Sequence, residues 1–244
     1  MKVVGVIPAR YQSSRFEGKP LALIYGKPMI IHVAEKVEQA LGKEHTYVAT
    51  DDDRIALEVK KYGYQVVMTS EHCKTGTDRL WDFAQQIDAD IYINVQGDEP
   101  MVSPKDIEKV IQEKKEYYNY VTCGMLPISD DEDPSDVNIP KVLVNKNSEL
   151  VYMSRLPIPG IKSKTNLRKP TYLKQVCIYG FTYNDLKLYG QTEEKAEYEY
   201  HEDIEILRFY DLDIPIKMVM MEKETIAVDN PKDIDRVEKA MKQA

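Results

Sequence analysis

An apolar run, IYINVQGDEP (91–100), reads as a buried strand yet closes on two neighbouring acids, Asp98 and Glu99. Acids at a strand's carboxyl end are either solvated turn residues or ligands for a cation. A further acid, Asp229, stands in VDNP (228–231), at what reads as another strand end. The loop PARYQSSRFEGKP (8–20) carries Arg10, Arg15 and Lys19 among Ser13, Ser14 and Gly18. Cations with small hydroxylated neighbours supply the charge and the open N–H groups that a polyphosphate needs, although a solvated basic loop has the same composition. Neither GxxxxGK[ST] nor GxGxxG occurs, so this is not a Walker-type loop or a dinucleotide fingerprint. Two carboxylates beside such a loop suit Mg²⁺, whose preferred ligands are one or two carboxylates plus substrate phosphates.

The elements that must position these groups alternate. KVVGVI (2–7), TYVAT (46–50), YQVVM (64–68) and 91–95 read as strands, separated by helical spacing over 29–41, 52–61 and 77–87. Thr77 is the expected N-cap of the third helix, and Ser103 with Pro104 opens a fourth through Lys114. This order predicts a mostly parallel sheet with helices on both faces, and ligands in such sheets bind outside the strands' carboxyl ends. The second half is less regular. PKVLVN (140–145), ELVYM (149–153) and QVCIYGF (175–181) read as antiparallel strands, and 157–170 as an exposed loop. A helix over 201–209, a strand over 214–221 and a strand IAVD (226–229) follow, then a closing helix with Asn230 as N-cap and Pro231 at its first position. Without repeats or linkers, the chain reads as one domain, 1–244, with an insertion over roughly 125–200.

The chain has 244 residues, 43% hydrophobic and 30% charged, with a formal net charge of −8. That sign gives no global field for nucleic acid, while a local cationic cluster still serves small anions. No apolar run is long enough for a signal-peptide core or a membrane span. The three cysteines, Cys73, Cys123 and Cys177, form no CxxC, which suits a reducing cytoplasm rather than a disulfide framework or zinc. His72 reads as a loop histidine, the run DDED (130–133) as a solvated turn, and the 17 tyrosines as packing residues.

The motifs resemble those of the 3-deoxy-manno-octulosonate (Kdo) cytidylyltransferases, also called CMP-Kdo synthetases. IPARYQSSRFEGKPL (7–21), HCKTGTDR (72–79) and NVQGDEP (94–100) are followed in family order by PKVL, MSR ending at Arg155, IYG, EDIEILR (202–208) and VDNPKDI. The resemblance implies a three-layer α/β nucleotide-binding fold with an inserted antiparallel dimerisation element. It also implies a cytoplasmic homodimer that transfers CMP from CTP to a 2-keto sugar acid, Kdo or a relative such as an amino-Kdo, for surface polysaccharide or lipopolysaccharide synthesis. Carried over by position, Arg10, Ser13, Arg15 and Lys19 would face the triphosphate, and Thr77 and Arg79 the cytosine. Asp98 and Asp229 would hold Mg²⁺ and act in catalysis with Lys19. Gln96, Arg155, Gln175, Tyr179, Glu202 and Glu205 would hold the acceptor.

The departures from the family pattern cluster on the acceptor side. Lys174-Gln175 stands for Arg-His, Ile206 for Gln, and Phe181 for Tyr. Read together, they replace polar groups with an apolar wall and predict a related acid preferred over Kdo itself. The rival from another class is a nucleotide-binding regulatory or scaffolding protein, which would have lost Lys19, Asp98 or Asp229; all three are present.

Overall fold

The computed structural model of the chain describes residues 1–13, 15–162, 170–192 and 194–242. Ser14 and residues 163–169 of the expected exposed loop lie outside them. The strands are β1 (Val3–Ala9), β2 (Leu23–Ile24), β3 (Lys27–Pro28), β4 (Thr46–Thr50), β5 (Gln65–Met68), β6 (Ile91–Val95), β7 (Val121–Pro127), β8 (Lys141–Val144), β9 (Leu150–Ser154), β10 (Leu173–Phe181) and β11 (Ile216–Met220). The helices are α1 (Met29–Leu41), α2 (Asp53–Lys61), α3 (Gly76–Ala84), α4 (Pro104–Glu116), α5 (Tyr183–Gly190), α6 (Glu197–Glu202), α7 (Leu207–Asp211) and α8 (Asp233–Met241).

The main sheet runs β11-β7-β10-β6-β1-β4-β5, and β2-β3 is a separate hairpin. β1 pairs parallel with both β4 and β6, and every residue of β1 is buried. A strand covered on both faces has no solvent side to make polar, which is why this run reads as continuously apolar rather than alternating. α1 seals one face by placing Ile30, Val33, Ala34 and Val37 against it. A Cβ on Gly5 would lie 2.3 Å from Val37 Cγ1, so α1 and β1 meet at a spacing that only glycine permits. Full burial of each such apolar side chain is worth about 1.5–3 kcal/mol. α3 and α5 cover the other face with Leu80, Phe83, Leu186 and Tyr189. The result is the three-layer arrangement that the alternation predicts.

β8, β9 and β10 pair antiparallel, β8 lying between β9 and the start of β10. β10 then runs on into the main sheet, antiparallel to both β6 and β7, so the extension is continuous with the core. Four local expectations differ. Thr75, not Thr77, caps α3, in a reciprocal capping box with Asp78. The helix expected over 201–209 is two pieces, α6 and α7, with Asp203 left-handed at φ 50° between them. Residues 226–229 form no strand; the Val228 N–H goes to the Asp98 carbonyl, outside any ladder. The closing helix begins at Asp233 rather than Pro231, because the Asp233 carboxylate takes the Asp229 and Asn230 N–H groups.

Candidate active site

The carboxyl ends of β1 and β6 open onto a cavity of about 220 Å³, lined by Arg10, Ser13, Arg15, Lys19, Arg79 and Asp98 among others. The loop after β1 folds back on itself through the Gly18 N–H, which donates to the Tyr11 carbonyl at 2.9 Å. Gly18 has φ 68°, a left-handed value that favours glycine, and the turn it makes delivers Lys19 into the cavity. Lys19 Nζ lies 2.6 Å from Asp98 Oδ2 and 3.0 Å from the Val228 carbonyl. Arg15 Nη2 lies 3.0 Å from Asp229 Oδ1. Each acid expected to hold a metal is therefore paired with a cation from the same loop. The two acid-bearing segments are tied together by the bond from the Val228 N–H to the Asp98 carbonyl.

The α3 N-terminus forms another wall, with Thr75 and Gly76 at the cavity. Arg79, nearly buried, lines the same cavity but is engaged: Nη2 meets Asp51 at 2.9 Å and Nη1 meets Thr69 at 2.6 Å. Thr77 does not line the cavity. It is fully buried, its Oγ1 has no partner among the described residues, and its N–H donates to Glu205 Oε2 at 3.1 Å.

The cavity opens into a cleft of about 1270 Å³ that shares Arg10, Arg15, Gln96 and Asp98 with it and extends past Asp229, Gln175 and Tyr179. Gln96 donates to Glu205 Oε1 at 3.0 Å, and burial pushes the Glu205 carboxyl above the usual carboxylate range. Arg155 lines the cleft, but its guanidinium is held by the carbonyls of Val137, Glu202 and Asp203, and its N–H by the Glu202 carboxylate. Arg155 and Glu202 thus form a bracket between β9 and α6, with their hydrogen-bonding groups turned to the protein.

The acceptor-side departures resolve differently. Gln175 lines the cleft and bonds the Tyr179 hydroxyl at 3.0 Å. Lys174 also lines it, pairing with Glu132 at 2.6 Å, so Glu132 belongs to this wall rather than to a fully solvated turn. Phe181 and Ile206 do not line the cleft. Both are fully buried, and Phe181 stacks on Phe209 at 5.3 Å, so the apolar wall expected from them is core packing. Two of the three grounds for an altered acceptor are removed by that burial.

Glu99, which the sequence offers only as a solvated turn residue or a cation ligand, is instead a buried structural acid. It is 8% exposed, hydrogen-bonded by Thr225, and pushed up to about 7 by burial and by the neighbouring Asp98. Asp106 was missed entirely: nearly buried on α4, it accepts the Glu222 and Lys223 N–H groups at 2.8 and 3.2 Å. Both acids fasten the segment that carries Asp229. Only the adjacency of two acids hinted at Glu99, and nothing in the sequence marks Asp106. His72 is exposed, and Cys73, half-buried, has its thiol pushed up to about 11 by burial.

A parallel-sheet edge with a cationic loop after the first strand, two acids at its mouth and a second cleft alongside defines a nucleotidyltransferase. The cytidylyltransferase family model matches residues 4–221. The 3-deoxy-manno-octulosonate cytidylyltransferase of Escherichia coli is 39% identical, over 99% of this chain and 97% of that protein. The enzyme of the same name from Parabacteroides distasonis is 40% identical, over 97% of this chain and 96% of its own. The solved structure of CMP:2-keto-3-deoxy-manno-octonic acid synthetase complexed with CTP superposes with a TM-score of 0.91 at 39% identity, covering 100% of this chain and 99% of that one. The chain belongs to the 3-deoxy-manno-octulosonate cytidylyltransferase family.

Proposed function

We propose that this enzyme transfers CMP from CTP to Kdo or a closely related 2-keto sugar acid, releasing pyrophosphate, as a step toward lipopolysaccharide or another surface polysaccharide. The observation that carries the reading is the continuity of two spaces: a cavity lined by Arg10, Arg15 and Lys19 opens, past Asp98, into a cleft that reaches Asp229. In the reaction the sugar's anomeric oxygen forms a bond to the α-phosphorus, the bond to the β-phosphate oxygen breaks, and the hydroxyl proton leaves to solvent or to pyrophosphate. Little covalent work falls to the protein, so positioning and charge neutralisation supply most of the rate. Arg10, Ser13, Arg15 and Lys19 bind the triphosphate, and Lys19 stabilises the charge gathering on the leaving pyrophosphate. Arg79 serves the cytosine end as a cavity-wall group held by Asp51, while Thr77, buried away from the cavity, acts only through its N–H bond to Glu205.

Asp98 and Asp229 would hold Mg²⁺. The donor set fits it: two half-exposed carboxylates, each already facing a cation, are hard oxygen ligands for a hard ion. When bound, such an ion polarises phosphoryl oxygens and lowers the pKa of a coordinated hydroxyl. Gln96 and Gln175 face the acceptor directly, and Tyr179, Glu205, Arg155 and Glu202 shape that wall. A homodimer is supported by the edge position of β9, which pairs only with β8 among the described strands, by exposed Val151 and by the adjoining rings of Tyr152, Tyr198 and Tyr210. A cytoplasmic location is supported by three free cysteines. Among the described residues no helix is long and apolar enough to cross a membrane. The test is pyrophosphate release from CTP with a panel of 2-keto sugar acids, with mass analysis of the nucleotide product.

A further inference from the structure

The acceptor wall has a fixed hydrogen-bond polarity. Gln96 gives its amide NH₂ to Glu205 Oε1 at 3.0 Å, and Glu205's other oxygen is taken by the Thr77 N–H at 3.1 Å. The Gln96 atom that meets Glu205 is its nitrogen, and the Thr77 N–H occupies the other carboxyl oxygen, so the Gln96 amide is turned with its nitrogen inward. Gln175 is turned the same way by a separate circuit along β10. Its NH₂ donates to the Tyr179 hydroxyl at 3.0 Å and to Cys123 Sγ at 3.8 Å. The Cys123 thiol donates to the carbonyls of Gly124 and Val176, so its sulfur is left as an acceptor for Gln175. Gln175, Cys177 and Tyr179 alternate along β10 and so face one side of it.

Both glutamines line the cleft, and neither Oε1 has a partner among the described residues. The rim beside them adds the carboxylates of Asp131, Glu132 and Asp133. We infer that Gln96 and Gln175 read the acceptor as a donor-only surface: two carbonyl oxygens that take hydroxyl protons and refuse groups that cannot donate. Glu205 and Tyr179 are positioning residues that set this polarity without touching the sugar. The inference rests on the transfer reading above and adds which chemistry on the acceptor is selected. It places the sugar's hydroxylated end against β10 and leaves its carboxylate for the cations, Arg10 and Arg15, on the side of the cleft shared with the nucleotide cavity.

The experiment compares kcat/KM for the best-used sugar acid with that for its deoxyfluoro analogues, in which fluorine keeps the dipole but cannot donate. Wild type should lose about tenfold or more at one hydroxyl position at least, because an unpaired carbonyl facing fluorine repels it. In Tyr179→Phe the Gln175 amide is released to rotate, and the hydroxyl-to-fluorine ratio at that position should fall to within about threefold. Gln175→Glu, an acceptor-only group, should keep the wild-type ratio. CTP binding by calorimetry reports that each variant retains a folded nucleotide site. Equal use of every fluoro analogue by wild type overturns the inference, as does an unchanged ratio in Tyr179→Phe. A wild type that releases pyrophosphate with no 2-keto sugar acid overturns the transfer reading, and the inference with it.

Discussion

Lys19 and Asp98 form one ion pair at the mouth of the nucleotide cavity, Nζ to Oδ2 at 2.6 Å, with the Val228 carbonyl as the lysine's second partner. Their side chains are 18% and 28% exposed, so the pair is partly shielded from solvent. The residue assigned to the leaving pyrophosphate and a residue assigned to the metal therefore hold each other in place before substrate arrives.

Lys19→Ala should lower kcat by about a hundredfold or more while changing KM for CTP much less, because the charge it meets grows in the transition state. In a double-mutant cycle with Asp98→Asn the losses should fall short of additive by about 1–3 kcal/mol. Steady-state kinetics on the four proteins measures both. A Lys19→Ala variant with normal kcat and only a raised KM would make Lys19 a ground-state binder.

Asp98→Asn and Asp229→Asn should each weaken divalent-ion binding and abolish most turnover, with the fold intact. Mn²⁺ binding in the presence of CTP, followed by electron paramagnetic resonance, reads the metal site independently of activity. Full Mn²⁺ affinity in both variants would remove the metal assignment.

Phe181→Tyr and Ile206→Gln restore the family's residue types, yet neither should shift acceptor preference. Both positions are sealed in the core, where the amide of Ile206→Gln has no partner and should cost about 2–4 kcal/mol of stability. Chemical denaturation gives the stability change, and relative kcat/KM across the sugar panel gives the preference. A preference that moves toward Kdo in either variant would place that side chain at the acceptor after all.

Arg208 is 1% exposed and meets Glu199 twice, Nε at 2.6 Å and Nη2 at 2.7 Å, while Nη1 reaches Asp78 at 3.1 Å. It also lies over the Tyr189 ring at 3.7 Å, so it fastens α6 and α7 to α3. Glu199→Ala should destabilise the protein by about 3–5 kcal/mol, since it strands a buried guanidinium. Thermal or urea unfolding checks this, and a loss below about 1 kcal/mol would show the pair to be solvated in practice.

Cys73 lines the nucleotide cavity with its thiol pushed up to about 11 by burial. A raised thiol pKa leaves only about one thiolate in a thousand at pH 8, so alkylation should be slow there. The rate should climb about tenfold per pH unit until near pH 11 and drop when CTP is present. Mass-spectrometric rates of iodoacetamide labelling test it, and fast labelling at pH 7 would contradict the burial.

Much of this architecture is legible in the sequence where one physical rule dominates. The apolar runs of β1, β4 and β6 and the spacing of α1 follow directly from burial on both sheet faces and on one helix face. The lapses occur where side chains override local pattern. IAVD looks like a strand, but Asp98, Asp233 and Glu99 take up the bonding capacity of its segment through long-range contacts that no window reveals. Thr77 loses the cap to Thr75 because Asp78 reciprocates only with the latter. A family pattern showed which residue types had changed at 181 and 206 but not that both point into the core. At 175 the changed residue does face the cleft, and its orientation is fixed by Tyr179, four residues further along the same strand.

The central claim, CMP transfer from CTP to a 2-keto sugar acid, is tested most directly by pyrophosphate release from purified enzyme with CTP, Mg²⁺ and Kdo. The account predicts stoichiometric pyrophosphate and CMP-sugar with CTP, with release lost in Asp98→Asn. Nucleotide binding with no pyrophosphate from Kdo or any other 2-keto sugar acid would contradict it.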